Sequence, residues 1–197
     1  MEIKIDLKER TEKAIELGLK FGADEIEAYA VWNKVFTVRM ANNTILESKG
    51  VLDIGMGLRV ISGGGLGFSA TTDLSDDGIR KALENALNNA KNRKLPFKYS
   101  FPEPTKPKKV EKTFDPKIAE LPEDEAVELS YKMVESALEY DRRVVDNSGE
   151  LDIIAYYIHV KNSKGIDVSD HGTKIEASLN TIATVSYTHL TLPTTER

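Results

Sequence analysis

The sequence predicts an α+β fold in which helices pack on a mainly antiparallel sheet. Three observations carry that prediction. Alternating apolar positions recur in short runs between residues 26 and 71, too closely spaced for helical crossovers. Two segments with helical apolar periodicity flank those runs. A Gly-rich turn, Ser62-Gly63-Gly64-Gly65, separates the last two of them.

Taken in order, Asp6 is placed to cap a first helix, and Glu9 stands where a capping box needs it. Leu7, Ala14, Ile15 and Gly18 share one face, and Gly22 suits a left-handed exit. Strands are expected at Ile26–Trp32, Val35–Met40, Ile45–Ser48, Asp53–Ile61 and Leu66–Thr71, with Asn42-Asn43 as a turn. Ser75 is placed to cap a second helix from Asp76 to about Lys91, with Leu74 and Ile79 forming a hydrophobic staple. Its apolar side is Ile79, Ala82, Leu83, Ala86, Leu87 and Ala90. These elements form an N-terminal domain over residues 1–93.

From 94 to 112 the composition changes. Pro96, Pro102, Pro104 and Pro107 deny it regular structure, and lysines gather at Lys106, Lys108, Lys109 and Lys112. A solvated, extended linker accounts for this better than a nucleic-acid patch. A third helix is expected from Pro122 to about Tyr140, burying Ala126, Leu129, Met133, Val134, Ala137 and Leu138. Strands follow around Val144–Asn147, Leu151–Lys161, Ile166–Ser169 and Lys174–Thr184, with turns at Asn147-Ser148-Gly149, Asn162–Gly165 and His171-Gly172. Residues 113–184 therefore read as an incomplete second α/β unit.

The 197 residues carry 30% charged and 40% hydrophobic side chains, and the formal net charge is −5. That acidity counts against a nucleic-acid partner, which needs a basic face. No apolar run approaches the ~20 residues of a membrane span, and the N-terminus lacks a secretory apolar core. Cysteine is absent, which excludes disulfide and thiolate chemistry. The expected location is cytoplasmic.

Motifs for chemistry are sparse. The histidines are His159, in an alternating strand, His171, in a turn, and His189 near the C-terminus. None is paired at the helical spacing that a zinc site needs. His171 is expected to be solvated. Gly65-Leu66-Gly67-Phe68-Ser69-Ala70 satisfies a bare GxGxxA pattern, but strand-like residues follow where a helix should open, so a hairpin is expected. Glu25 and Glu27 read as the polar edge of the first strand. Arg59 is expected to bridge to a neighbouring strand rather than meet a peptide carboxylate. No catalytic, cofactor-binding or metal-binding residue is assigned.

Gly55–Ser75, GMGLRVISGGGLGFSATTDLS, resembles the N-terminal domain of the TldD/PmbA family, whose members are known as modulators of DNA gyrase and as intracellular zinc metallopeptidases. The resemblance extends to Ala23–Tyr29, to the aspartate-proline connector Lys112–Ala119, and to the paired turns Asp146–Gly149 and Lys161–Gly165. It implies peptide hydrolysis by zinc-activated water, an HExxxH site lying downstream of the matched region in the TldD branch, and a PmbA-like branch that lacks this motif and pairs with the other. Zinc is thus expected in a full-length catalytic subunit and not in this chain. The partners implied are a peptide substrate and a second TldD/PmbA-type subunit, as homo- or heterodimer. A stand-alone peptide- or protein-binding module is the alternative. Val185–Thr194 resembles a translated sequencing adapter, so residues 185–197 are expected to be non-native and the chain a truncated family member.

Overall fold

The computed structural model describes residues 6–105 and 110–184. The lysines at 106, 108 and 109, His189 and the expected foreign tail lie outside the described residues. The elements run α1 (Leu7–Lys20), β1 (Glu25–Ala41), β2 (Thr44–Ser62), β3 (Gly65–Thr71), α2 (Asp76–Asn92), α3 (Pro116–Ala119), α4 (Glu123–Tyr140), β4 (Val144–Asn162) and β5 (Asp167–Ala183). The strands form one antiparallel sheet in the order β3-β2-β1-β4-β5. The α+β expectation holds.

α1 begins and ends, and α2 begins, as the sequence dictates. Asp6 Oδ1 accepts from the Lys8 and Glu9 amides at 2.9 and 3.3 Å. The reciprocal half of the capping box is missing, because the Glu9 carboxylate pairs with Arg10 instead. At the other end the Ala23 N–H reaches Gly18 O at 3.0 Å and the Gly22 N–H reaches Leu19 O at 3.1 Å. That pair of bonds is a Schellman ending, and it needs the +95° φ of Gly22. Ser75 Oγ accepts from the Gly78 amide at 3.1 Å, and Leu74 and Ile79 are both buried.

Several expected breaks are absent. The first four expected strands merge into β1 and β2, and the last four into β4 and β5. A ladder bonds through the backbone, so polar positions such as Asn33-Lys34 and Lys49-Gly50 do not interrupt it. Asn147-Ser148-Gly149 and His171-Gly172 were expected as turns and instead lie inside β4 and β5. The turns that remain have backbone reasons: Asn42 and Asn43 sit at φ 51° and 61°, Gly63 and Gly64 at 57° and 76°, and Gly165 at 104°. Pro122 is the N-cap of α4 rather than its first helical residue. The buried side of α4 is only Ala126, Ser130 and Val134, one residue per turn, while Leu129 and Leu138 stay exposed.

The chain forms two compact units. The first is Met1–Val35, Gly50–Glu120 and Ile153–Lys174. The second comprises Phe36–Lys49, Leu121–Asp152 and the chain from Ile175. They cut across the sequential division into 1–93 and 113–184, because the long strands pass from one unit to the other along their length. Residues 94–105 and 110–120 belong to the first unit.

In the first unit α1 and α2 cover one face of the sheet. Ile26, Ala28 and Ala30 of β1 meet Met56, Leu58 and Val60 of β2 beneath Ala14, Ile15, Leu83 and Ala86. The β2–β3 register pairs Val60 with Gly67 and Ser62 with Gly65. A Cβ at Gly67 would overlap the Ala86 carbonyl, and one at Gly65 the Ala90 carbonyl. The GxG repeat therefore lets a helix backbone lie directly on a strand. In the second unit Asn147 is fully buried, donating to Asn43 Oδ1 at 2.8 Å and accepting from the Thr181 hydroxyl at 2.7 Å. Thr37 donates to Asp152 at 2.5 Å in the same unit.

Replacing Gly67 by Val should lower the unfolding free energy by about 3 kcal/mol, the upper range for overpacking against backbone that cannot yield. Urea unfolding measures it, and an unchanged midpoint would contradict the close approach.

Candidate functional site

The sheet of the first unit has a second face, turned away from α1 and α2, and its polar chemistry gathers there. Side chains alternate along a strand, so Ile26, Ala28 and Ala30 inside place Glu25, Glu27 and Tyr29 outside. On β2 the outward residues are Gly57 and Arg59, and across the ladder they face Ala70 and Phe68 of β3.

Arg59 donates through Nε to Glu27 Oε1 at 2.9 Å, and its Nη2 contacts the same oxygen. The expected cross-strand bridge is present. Glu27 is only 8% exposed and β1 is the middle strand of the sheet, so the expectation of a polar edge is corrected. Its burial is supported by the guanidinium, since an unpaired buried carboxylate would be costly. Glu25 is engaged as well. It accepts from the Phe101 amide at 2.7 Å and from the Ser100 hydroxyl at 2.8 Å, and pairs with Lys164 at 3.4 Å. Burial acts to raise the Glu25 pKa, but the Phe101 amide, the Ser100 hydroxyl and Lys164 outweigh it and hold the carboxyl below its usual value.

These bonds show where the Pro-rich segment goes. It leaves α2 through the Leu95 N–H to Gly64 O bond at 3.1 Å. It then crosses the outer face, where Phe101 is 2% exposed and lies 5.2 Å beneath the Arg59 guanidinium. Asn162 Nδ2 holds the Pro102 carbonyl at 3.1 Å. The segment is extended, as expected, but at Phe101 it is packed rather than solvated. Sequence reasoning missed this strap; an aromatic residue between Ser100 and Pro102 in a polar stretch was the available signal.

Beyond the strap the outer face stays open as a shallow groove. Glu27, Arg59, Tyr29, Gly57, Phe68 and Ala70 line it. Tyr29 and Phe68 are 43% and 49% exposed across a floor with almost no side chain at Gly57 and Ala70.

The second polar cluster is buried. His159 is 1% exposed. Its Nδ1 lies 2.7 Å from the Thr11 hydroxyl of α1, and its Nε2 lies 3.0 Å from Asp167 Oδ1 on β5. Lys161 donates to Asp167 Oδ2 at 2.5 Å and lies 3.8 Å from Glu12. The Lys161 bond is the main reason the Asp167 carboxyl is held below its usual value; burial opposes it and His159 adds to it. An ionised Asp167 can only accept, so His159 carries its proton on Nε2. The cluster ties α1 to the β4–β5 hairpin. His171 lies in β5, exposed as expected, with its ring 4.8 Å from that of Phe114.

Zinc does not fit these residues. Both nitrogens of His159 are committed, and among the described residues no three His, Cys, Asp or Glu side chains converge as a ligand set. The GxGxxA segment lies in β3 of the β2–β3 hairpin and both its glycines meet α2, which leaves no phosphate cradle there. Among the described residues no helix is long and apolar enough to cross a membrane.

Two family models match in sequence order. PmbA/TldA metallopeptidase domain 1 matches residues 26–90, and the PmbA/TldA metallopeptidase central domain matches residues 116–191. The chain belongs to the PmbA/TldD family. The two matches lie on either side of the Pro-rich segment, and the second runs into the stretch expected to be foreign. The uncharacterized protein MJ0231 of Methanocaldococcus jannaschii is 27% identical over 170 residues, which is 86% of this chain and 38% of that protein. The crystal structure of TldE from Thermococcus kodakarensis superimposes with a TM-score of 0.79 at 24% identity, covering 89% of this chain and 40% of that one. A Thermotoga maritima protein proposed as a modulator of a DNA gyrase gives a TM-score of 0.72 at 20% identity, covering 88% and 42%. The chain thus spans about two fifths of the length of these relatives.

Asp167 has a depressed pKa in the folded state, so its contribution to stability is full above the unfolded value of about 4 and is lost as pH falls through the lower folded value. Asp167→Asn should destabilise the chain at pH 7, and the gap to the unmodified chain should close towards pH 2.5. Urea titrations at both pH values measure this; an equal gap at both would contradict an ionised Asp167 in the cluster.

Proposed function

We propose that this chain is the substrate-framing part of a PmbA/TldD-type zinc metallopeptidase, acting in peptide or protein hydrolysis or maturation, and that it does not itself hold the metal. One observation carries the reading: the models for the first and central domains of this metallopeptidase family match in order along the chain. The commitment of both His159 nitrogens supports the second half of it. The zinc site then belongs either to sequence continuous with this chain in a longer family member or to a second PmbA/TldD-type subunit paired with it, in the cytoplasm. The chain's own contribution is a rigid sheet with one face held by helices and the other open to a peptide.

Zinc analysis and a peptide-cleavage assay on the purified chain test this. The expected result is no stoichiometric zinc and no chelator-sensitive cleavage by the chain alone, with cleavage appearing when it is combined with a subunit bearing HExxxH. One zinc per chain together with chelator-sensitive cleavage would overturn the proposal.

A further inference from the structure

We propose that the open groove on the outer face of the first unit's sheet is a docking site for an extended apolar peptide segment, read by Glu27 and Arg59. The proposal deepens the substrate-framing reading and rests on it for biological meaning, but its chemistry stands on the groove alone.

The same face already holds an extended segment of its own chain, residues 99–102. Its Phe101 ring is buried against Arg59 and its Phe101 backbone N–H is taken by Glu25 Oε2 at 2.7 Å. A strand carboxylate that accepts a main-chain N–H, beside an apolar seat for one side chain, is how this face binds a peptide in its own chain.

Glu27 is the next carboxylate on that face and presents the same chemistry one step further along. Both hydrogen bonds from Arg59 fall on its Oε1. Among the described residues Oε2 of Glu27 and Nη1 of Arg59 make no hydrogen bond. Glu27 is otherwise buried, and it lines the groove. Both residues line the groove, and each keeps one polar atom outside the pair, an acceptor on Glu27 and a donor on Arg59. That pair complements a peptide unit, whose N–H is donated to the carboxylate and whose C=O accepts from the guanidinium. The charges of Glu27 and Arg59 cancel, so the arrangement suits a neutral amide better than a free carboxylate or an ammonium group.

The rest of the groove fits a main chain. Gly57 and Ala70 face one another across the β2–β3 ladder and leave a low floor, so a backbone can approach closely. Tyr29 and Phe68 rise at its sides, half exposed, and can clasp an apolar or aromatic side chain in offset contact. A Cβ at Gly57 would have only the Tyr29 carbonyl near it, at 4.0 Å, so a larger residue fits the strand and fills the groove without disturbing the fold.

The test uses the 197-residue chain and a blocked pentapeptide probe, N-acetylated and C-amidated, of four alanines around a central phenylalanine. Amide shifts of the labelled chain are followed as the peptide is added. Saturable shifts at Gly57 and Ala70 are expected, and Gly57→Val and Phe68→Ala should each weaken binding at least tenfold with thermal melting unchanged. Absence of saturable shifts there, or binding that is indifferent to both substitutions, would overturn the groove. Phe68→Ala keeps the test decisive if the larger residue at 57 perturbs folding. Zinc and cleavage do not enter this readout. Failure of binding leaves the metallopeptidase reading standing, and zinc-dependent cleavage by the chain alone overturns that reading while leaving the groove.

Discussion

The close seating of α2 on β3 is the constraint on which the first unit depends. Gly65 and Gly67 lie against the Ala90 and Ala86 carbonyls, and no side chain can enter that seam. The contact brings the apolar side of α2 onto the sheet, where Leu83 joins Met56, Leu58 and Val60 in the buried core. Gly18 does the same for α1, since a Cβ there would overlap the Ile26 side chain. The bonds from Leu66 to Arg93 and from Leu95 to Gly64 then fix where the chain leaves α2, and so where the strap begins its crossing. One pair of glycines thus sets the helix layer on one face and the launch of the segment that packs on the other.

The two faces of the sheet consequently do different work. The inner face is sealed mainly by aliphatic packing, with Thr11 and His159 as a bonded polar pair under α1. The outer face handles its polar groups by pairing them, Glu25 with Lys164 and the strap, and Glu27 with Arg59. Pairing a buried carboxylate with a guanidinium gives little net stability, because desolvation offsets the attraction. The buried His159 cluster is the structural counterpart: every group in it is bonded within the chain, which suits a latch between α1 and the β4–β5 hairpin and leaves nothing for a ligand.

Local signals were read well where a single residue decides the backbone. Asp6, Ser75 and Gly22 each act within a few residues, and Asn42-Asn43 and Gly63-Gly64 require positive φ, so cap and turn chemistry alone located them. Strand ends differ where polar residues lie inside a strand; Asn147 is polar yet buried, because Asn43 of the β1–β2 turn and Thr181 of β5 reach it. The outer-face site was legible only in part. The Arg59 bridge followed from alternation, but the seating of Phe101 against Arg59 comes from a segment whose prolines said only that it is extended. The discontinuous compact units were hidden for the same reason, since β1 and β4 pair across more than a hundred residues of chain. The acceptance of a backbone amide by Glu25 is a tertiary event with no local signature.

The central claim is that the helix-covered face is a single cooperative body while the outer face carries a more lightly held strap beside an open groove. Native-state hydrogen exchange tests it most directly. The account predicts that the β3 amides and those of α2 around Ala86 and Ala90 open together, only in global unfolding, and that the Phe101 amide opens separately at lower free energy. Exchange of β3 at low free energy while α2 stays protected would contradict it, because the seam between them could not then be what holds the unit together.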